Sequence, residues 1–186
     1  QDLAASLGEI ISSVDEQYSL PEDKRLSAGL LNISHGCSEE ARRGAASCCA
    51  CLSNHRELVP NCTDRDVDSF VSTVLSSLFN TDDWRMLASA DRVMPLLAEA
   101  SPSVFLVKIE RALKMHRAIQ DYLGEHLAGL SSTSMGWGLI SGIKVCARQK
   151  DLLSKAMTLL VGISPYTTTL QRRMGNYPSP LAPTDG

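Results

Sequence analysis

The sharpest chemistry in the sequence lies at Cys48, Cys51, His55 and Cys62. Steps of three and four place Cys48, Cys51 and His55 along one face of a helix, two thiols and an imidazole together. Cys62, beyond the break at Pro60, can fold back as a fourth ligand. Three cysteines and one histidine around a tetrahedral ion make a legitimate structural zinc site. The plainer alternative is that this face, with Ala41, Ala45 and Leu52, is a core stripe in which cysteines act as small apolar residues. Zinc modules usually pair two short ligand motifs across a long loop, which this stretch lacks. The first expectation is therefore no cofactor, and the alternative a zinc- or redox-responsive helical domain.

Nothing else in the chain spells out a reaction. His35, His116 and His126 have no partner at ligand spacing and read as surface or loop residues. No Gly-x-Ser-x-Gly elbow occurs, and the many serines single out none as a nucleophile. Glu39-Glu40 and Asp82-Asp83 fit acidic first turns, which helix dipoles favour without catalysis. Trp84 and Trp137 are candidate partner anchors, because Trp is enriched at binding hot spots, although core packing is the commoner role. The expectation is a protein that is not an enzyme.

Composition narrows the class further. Hydrophobic content of 44% and charged content of 21% are ordinary for a folded domain of 186 residues. Three Phe, four Tyr and two Trp among abundant Leu, Ala and Ser favour helices over sheets. A net charge of −3, with Lys and Arg scattered, offers no footprint for nucleic acid. No run approaches the roughly 18 apolar residues of a membrane span. The sequence opens at Gln1 without a signal-peptide pattern, so the expectation is a cytoplasmic segment of a longer polypeptide. Of the six cysteines, Cys48, Cys49 and Cys51 crowd within one turn, where disulfide geometry is poor. All six are expected to be reduced, with Cys37, Cys62 and Cys146 completing the set.

The elements that would position these residues are helical throughout. A first helix spans 3–17 with Leu3, Leu7, Ile10, Ile11 and Val14 on one face. A short second helix covers about 21–31, followed by a loop at 32–36. Ser38 caps a helix running to about Asn54, with Glu39, Glu40, Arg42 and Arg43 decorating its start. Thr63 and Asp66 suit a capping box before Val67, Phe70, Val71, Val74, Leu75 and Leu78, the clearest helical period in the chain. Ser89–Leu113 holds two helices separated by Ser101-Pro102, a capping residue followed by a proline at the first helical position. A loop at 129–134 precedes a helix faced by Met135, Leu139, Ile143 and Cys146. Lys150–Ile163 is the last helix, and 164–186 a Pro-containing tail of poor order. The predicted architecture is all-α: a helical-repeat, solenoid-like array of about eight to ten short helices over residues 1–163.

Several stretches carry a family resemblance. Leu20-Pro-Glu-Asp-Lys-Arg, the Ser38–Leu52 helix, Asp83-Trp84, Pro95-Leu-Leu-Ala-Glu99 and Ala100-Ser-Pro-Ser-Val-Phe-Leu106 together resemble the helical, HEAT-like region of large bacterial multidomain proteins. Those proteins join an effector domain to a STAND-like P-loop NTPase, and some are linked to anti-phage defence. The resemblance implies a scaffold or sensor segment whose partners are neighbouring domains of the parent chain or another protein. The chain departs from the NTPase itself, having no Gly-x-x-x-x-Gly-Lys-Ser/Thr loop to cradle phosphates.

Overall fold

The computed structural model describes residues 2–25, 37–55, 57, 59, 61–126 and 136–174. Among them the secondary structure is entirely helical: α1 (Leu3–Ser12), α2 (Glu22–Arg25), α3 (Glu39–Asn54), α4 (Asp64–Phe79), α5 (Trp84–Ser89), α6 (Met94–Ala100), α7 (Pro102–Met115), α8 (Ala118–His126), α9 (Trp137–Cys146) and α10 (Leu153–Met174). Two 3-10 turns, Glu16–Ser19 and Asp91–Val93, complete the set.

Local chemistry explains most of the helix starts. Asp2, Ser38 and Asp83 each accept a backbone N–H from the first turn of α1, α3 and α5. Thr63 and Asp66 form a reciprocal capping box on α4, the Asp66 Oδ2 taking the Thr63 N–H at 2.8 Å. Ser101 behaves differently from its expected role. It occupies the capping position before Pro102, but its side chain makes no capping bond and lies buried at the α6–α7 corner. Pro102 supplies the turn geometry by itself, since it has no N–H that needs capping.

The helices pair at a regular offset of three elements. Helix α1 packs on α4, α4 on α7 and α7 on α10. Helix α3 packs on α6 and α6 on α9, while α5 packs on α8. The Glu16–Ser19 turn takes the place before α5 in the last of these columns. A shared core runs between the columns, with Ile11, Leu75, Leu78, Met94, Leu97, Phe105, Leu106 and Tyr122 among its fully buried members. Phe79 and Phe105 meet edge to face at 5.6 Å across the α4–α7 contact.

Several expected details shift. The inner face of α3 is Arg42, Ala45, Ala46, Cys49 and Ala50, whereas Ala41 is exposed and Cys48 and Leu52 only half-buried. The stripe is rotated by about one residue because a charged side chain, Arg42, belongs to it. In α1 the buried residues are Ala4, Gly8 and Ile11, and Leu3 is exposed. A side chain larger than glycine at position 8 would press on Ser77, so α1 and α4 approach closely there. Helix α10 passes through Pro165 and continues to Met174, beyond the expected end at Ile163. The expected loops at 32–36 and 129–134, residues 26–31 of the second helix, Met135, His35 and the last part of the tail, 175–186, lie outside the described residues.

Candidate functional site

An open cleft of about 740 Å³ lies between the first 3-10 turn and the start of α5. Tyr18, Leu20, Pro21 and Arg25 form one wall, and Asp82, Asp83, Trp84 and Arg85 the other. Trp84 is half-buried, with the Tyr18 ring edge-on at 6.1 Å and the Arg25 guanidinium 5.1 Å from its ring centre. That guanidinium is braced by its Nε–H, which donates to the Leu20 carbonyl at 2.9 Å. The cleft therefore already accommodates a cation on an aromatic face.

Its charged rim is built from local pairs. Asp83 caps α5 and grips Arg85, whose Nη2 lies 2.7 Å from Oδ2. Hydrogen bonds from Arg85 hold the Asp83 carboxyl below its ordinary range, more than burial raises it. Asp82 is outside the helix and meets His116 Nδ1 at 3.0 Å, at the end of α7. His116 thus has a carboxylate partner, 34 residues away in sequence. The pair of aspartates expected to share a first turn divides its labour: Asp83 caps and Asp82 reaches the histidine.

Trp137 opens α9 and is 58% exposed, with Lys144 Nζ 4.7 Å from its ring centre. The two tryptophans differ in setting: Trp84 forms part of a concave wall, and Trp137 stands on the surface.

The cysteine–histidine set is spread over three settings. Cys48 and Cys51 ride on α3, half-buried and exposed respectively. His55 follows as the capping residue of α3, its backbone N–H donating to the Cys51 carbonyl, while its ring pairs with Glu57 at 3.1 Å. Cys62 is exposed in the turn before α4. Among the described residues no three His, Cys, Asp or Glu side chains converge on one point. The thiol that enters the core is Cys49, which burial raises to about 11. Cys146, buried under α9, is raised to about 12 for the same reason.

Two buried polar clusters join residues far apart in sequence. Arg42, from α3, reaches the segment after α1. Its Nη2 sits 2.9 Å from Asp15 Oδ1 and also donates to the Ser13 carbonyl and hydroxyl. The Asp15 backbone N–H donates to Ser89 Oγ at 2.9 Å, which ties the pair to α5. The second cluster centres on Asp91. Its carboxylate accepts the Tyr122 hydroxyl and the Gly138 N–H, capping α9 from 47 residues away. Gly136, with φ of +83°, supplies the left-handed turn that aims those N–H groups, and its own N–H donates to the Tyr122 oxygen. Burial raises Asp91 above its ordinary value against these bonds, and holds Tyr122 well above the phenol range. Close packing here would have been the only clue: a Cβ on Gly138 would lie 1.7 Å from the Asp91 carbonyl oxygen.

A serine–lysine contact completes the survey of reactive groups. Lys108 Nζ donates to Ser76 Oγ at 2.6 Å, and burial followed by Arg111 lowers the Lys108 value. The Ser76 hydroxyl spends its proton on the Ser72 carbonyl at 2.7 Å, so its geometry is that of a helix-surface serine rather than an activated nucleophile.

The class that the fold defines is an all-helical protein, and among the described residues no helix is long and apolar enough to cross a membrane. No family model, curated protein or solved structure matches the chain.

Proposed function

We propose that the chain is a non-catalytic helical scaffold or sensor segment, built as a solenoid-like array and serving recognition of a protein or ligand. In this reading it works within a larger, STAND-like NTPase protein of the bacterial, defence-linked kind, with neighbouring domains as its first partners. The observation that carries the reading is the offset-of-three pairing, α1–α4–α7–α10 beside α3–α6–α9 and α5–α8. Equal steps of that sort are how repeats bury each other's faces. The Trp84 cleft supports a recognition role, because a half-exposed aromatic between prearranged ion pairs offers contact area at little ordering cost. The corner made by the Pro95–Leu106 stretch, which bears the resemblance, joins two columns at the core.

Hydrogen exchange tests the array. Ile11→Ala, at the α1 end, is expected to raise exchange in α1, α3 and α4 and to leave α9 and α10 protected, since repeats couple mainly to neighbours. Uniform loss of protection along the chain would contradict the solenoid reading. Turnover of an ester, phosphoester or peptide by the purified chain, abolished by substituting one of its own residues, would contradict the non-catalytic one.

A further inference from the structure

Helix α10 is apolar on two opposite sides. Ala156, Leu159 and Ile163 are buried where the helix meets α7, α8 and α9. On the reverse side Leu153, Met157 and Val161 are 46%, 51% and 68% exposed. Standing four residues apart, these three form a ridge. Ser154, Thr158 and Gly162, each one residue further on, form a groove of small residues beside it, and all three are exposed. A Cβ added at Gly162 would meet nothing within 4 Å. The charged residue between Leu153 and Pro165, Lys155, is engaged with Glu110 of α7 at 2.9 Å, away from this face.

We propose that this face binds a second copy of the chain, the two α10 helices lying side by side in the same direction about a two-fold axis. The geometry of the face selects that occupant, because it is complementary to itself. A two-fold axis along the helices carries the ridge of each copy onto the groove of the other. Leu153 then meets the groove at Ser154, Met157 at Thr158 and Val161 at Gly162. An antiparallel pair would instead set ridge on ridge. Both rows follow the i±4 direction, so their interdigitation crosses the helices at about −50° and limits contact to roughly three turns. The buried side of α10 faces directly away from the contact, which keeps the two bodies apart. No like charges oppose each other across it, and small residues let the backbones approach.

A contact confined to one helix face of each copy makes the pair a reversible one.

Sedimentation equilibrium on the full chain, from about 10 µM to about 1 mM, tests the proposal. The wild type is expected to move from the 20.1 kDa monomer toward twice that mass. Met157→Glu, which charges the ridge, and Gly162→Leu, which fills the groove, are expected to stay monomeric with unchanged helical circular dichroism. Met115→Glu, at a 64% exposed site on α7, is the control and is expected to dimerise like the wild type. A wild type that remains monomeric throughout overturns the proposal. So does a dimer that survives both α10 variants, or one that Met115→Glu alone removes. The result is separable from the hydrogen-exchange test, because a compact non-solenoid body could pair through α10 equally well.

Discussion

Replacing Arg42 with Met should be among the most damaging single changes in this chain. Its guanidinium is 4% exposed and the Asp15 side chain 10%, so the pair is cut off from water. Removing the arginine leaves a buried carboxylate without its countercharge, and the Ser13 carbonyl without its donor. Breaking one side of a buried pair typically costs about 3–5 kcal/mol. Against a total stability of about 5–15 kcal/mol, that is a large share. Intact, the pair is worth much less, because both ions lost their hydration and Arg42 Nε is buried with no hydrogen-bond partner. Arg42→Met combined with Asp15→Leu should therefore recover much of the loss. Urea unfolding followed by circular dichroism reads both quantities. With a slope of about 2 kcal/mol per molar, the single change should lower the midpoint by about 2 M. The double variant should sit at least about 2 kcal/mol above the sum of the two single effects. A midpoint shift under about 0.5 M, or strict additivity, would refute the view that this is a coupled buried pair.

Three further outcomes follow from close packing and from burial. Gly138→Ala should cost about 3 kcal/mol or more, since its Cβ would overlap the Asp91 backbone, which cannot swing aside. Gly44→Ala, on the open side of α3 with nothing within 4 Å, should instead stabilise by about 0.5–1 kcal/mol; melting temperatures of the two variants check the contrast. Thiol titration in denaturant should count six free thiols, and in native protein near pH 8 Cys51 and Cys62 should react first and Cys49 and Cys146 last. Cys49 and Cys146, raised to about 11 and about 12, bind their protons more tightly folded than unfolded. Their contribution to stability is therefore complete below about pH 9 and is lost as pH rises toward 12. Urea midpoints between pH 8 and 11 that do not fall, or that fall equally in Cys49→Ala/Cys146→Ala, would count against this assignment.

Much of the fold was legible because its signals are local. Caps at Ser38 and Thr63, the period of α4, and the Pro102 start are all written within a few residues. What escaped depends on residues far apart in sequence. Arg42 reaches back 27 residues to Asp15, Tyr122 reaches 31 to Asp91, and His116 reaches 34 to Asp82. No window of helical length contains both members of these pairs. The α3 error had a readable remedy. Positions 42, 45, 46, 49 and 50 follow helical spacing and hold only small residues apart from the arginine, whereas the 41, 45, 48 and 52 stripe ends beside exposed Cys51. A charge on a face of alanines is a sign of a buried pair, not of a solvated surface. Of the candidate site, Trp84 was visible as a residue but not as a cleft, because the opposite wall comes from residues 18–25.

Small residues line much of the α3–α6–α9 column, which packs on α1–α4–α7–α10, the column that both others share. Helix α3 offers Ala45, Ala46 and Ala50, α6 offers Ala98 and Ala100, and α9 turns Gly138 and Gly142 toward the segment that begins α6. A Cβ on Gly142 would come within 2.8 Å of the Phe105 ring and 3.3 Å of the Met94 carbonyl. Beside these small residues the column also buries Met94, Leu97, Leu139 and Ile143, and the aromatic bulk comes from Phe79 and Phe105 on the α4–α7 column. The two glycines bring backbone close to backbone, and there Asp91 caps α9. The α5–α8 column has no such constraint at its outer end, where Trp84 faces the cleft. That column packs on α1–α4–α7–α10 through both α5 and α8, so the cleft side of Trp84 is set by the column that both others share.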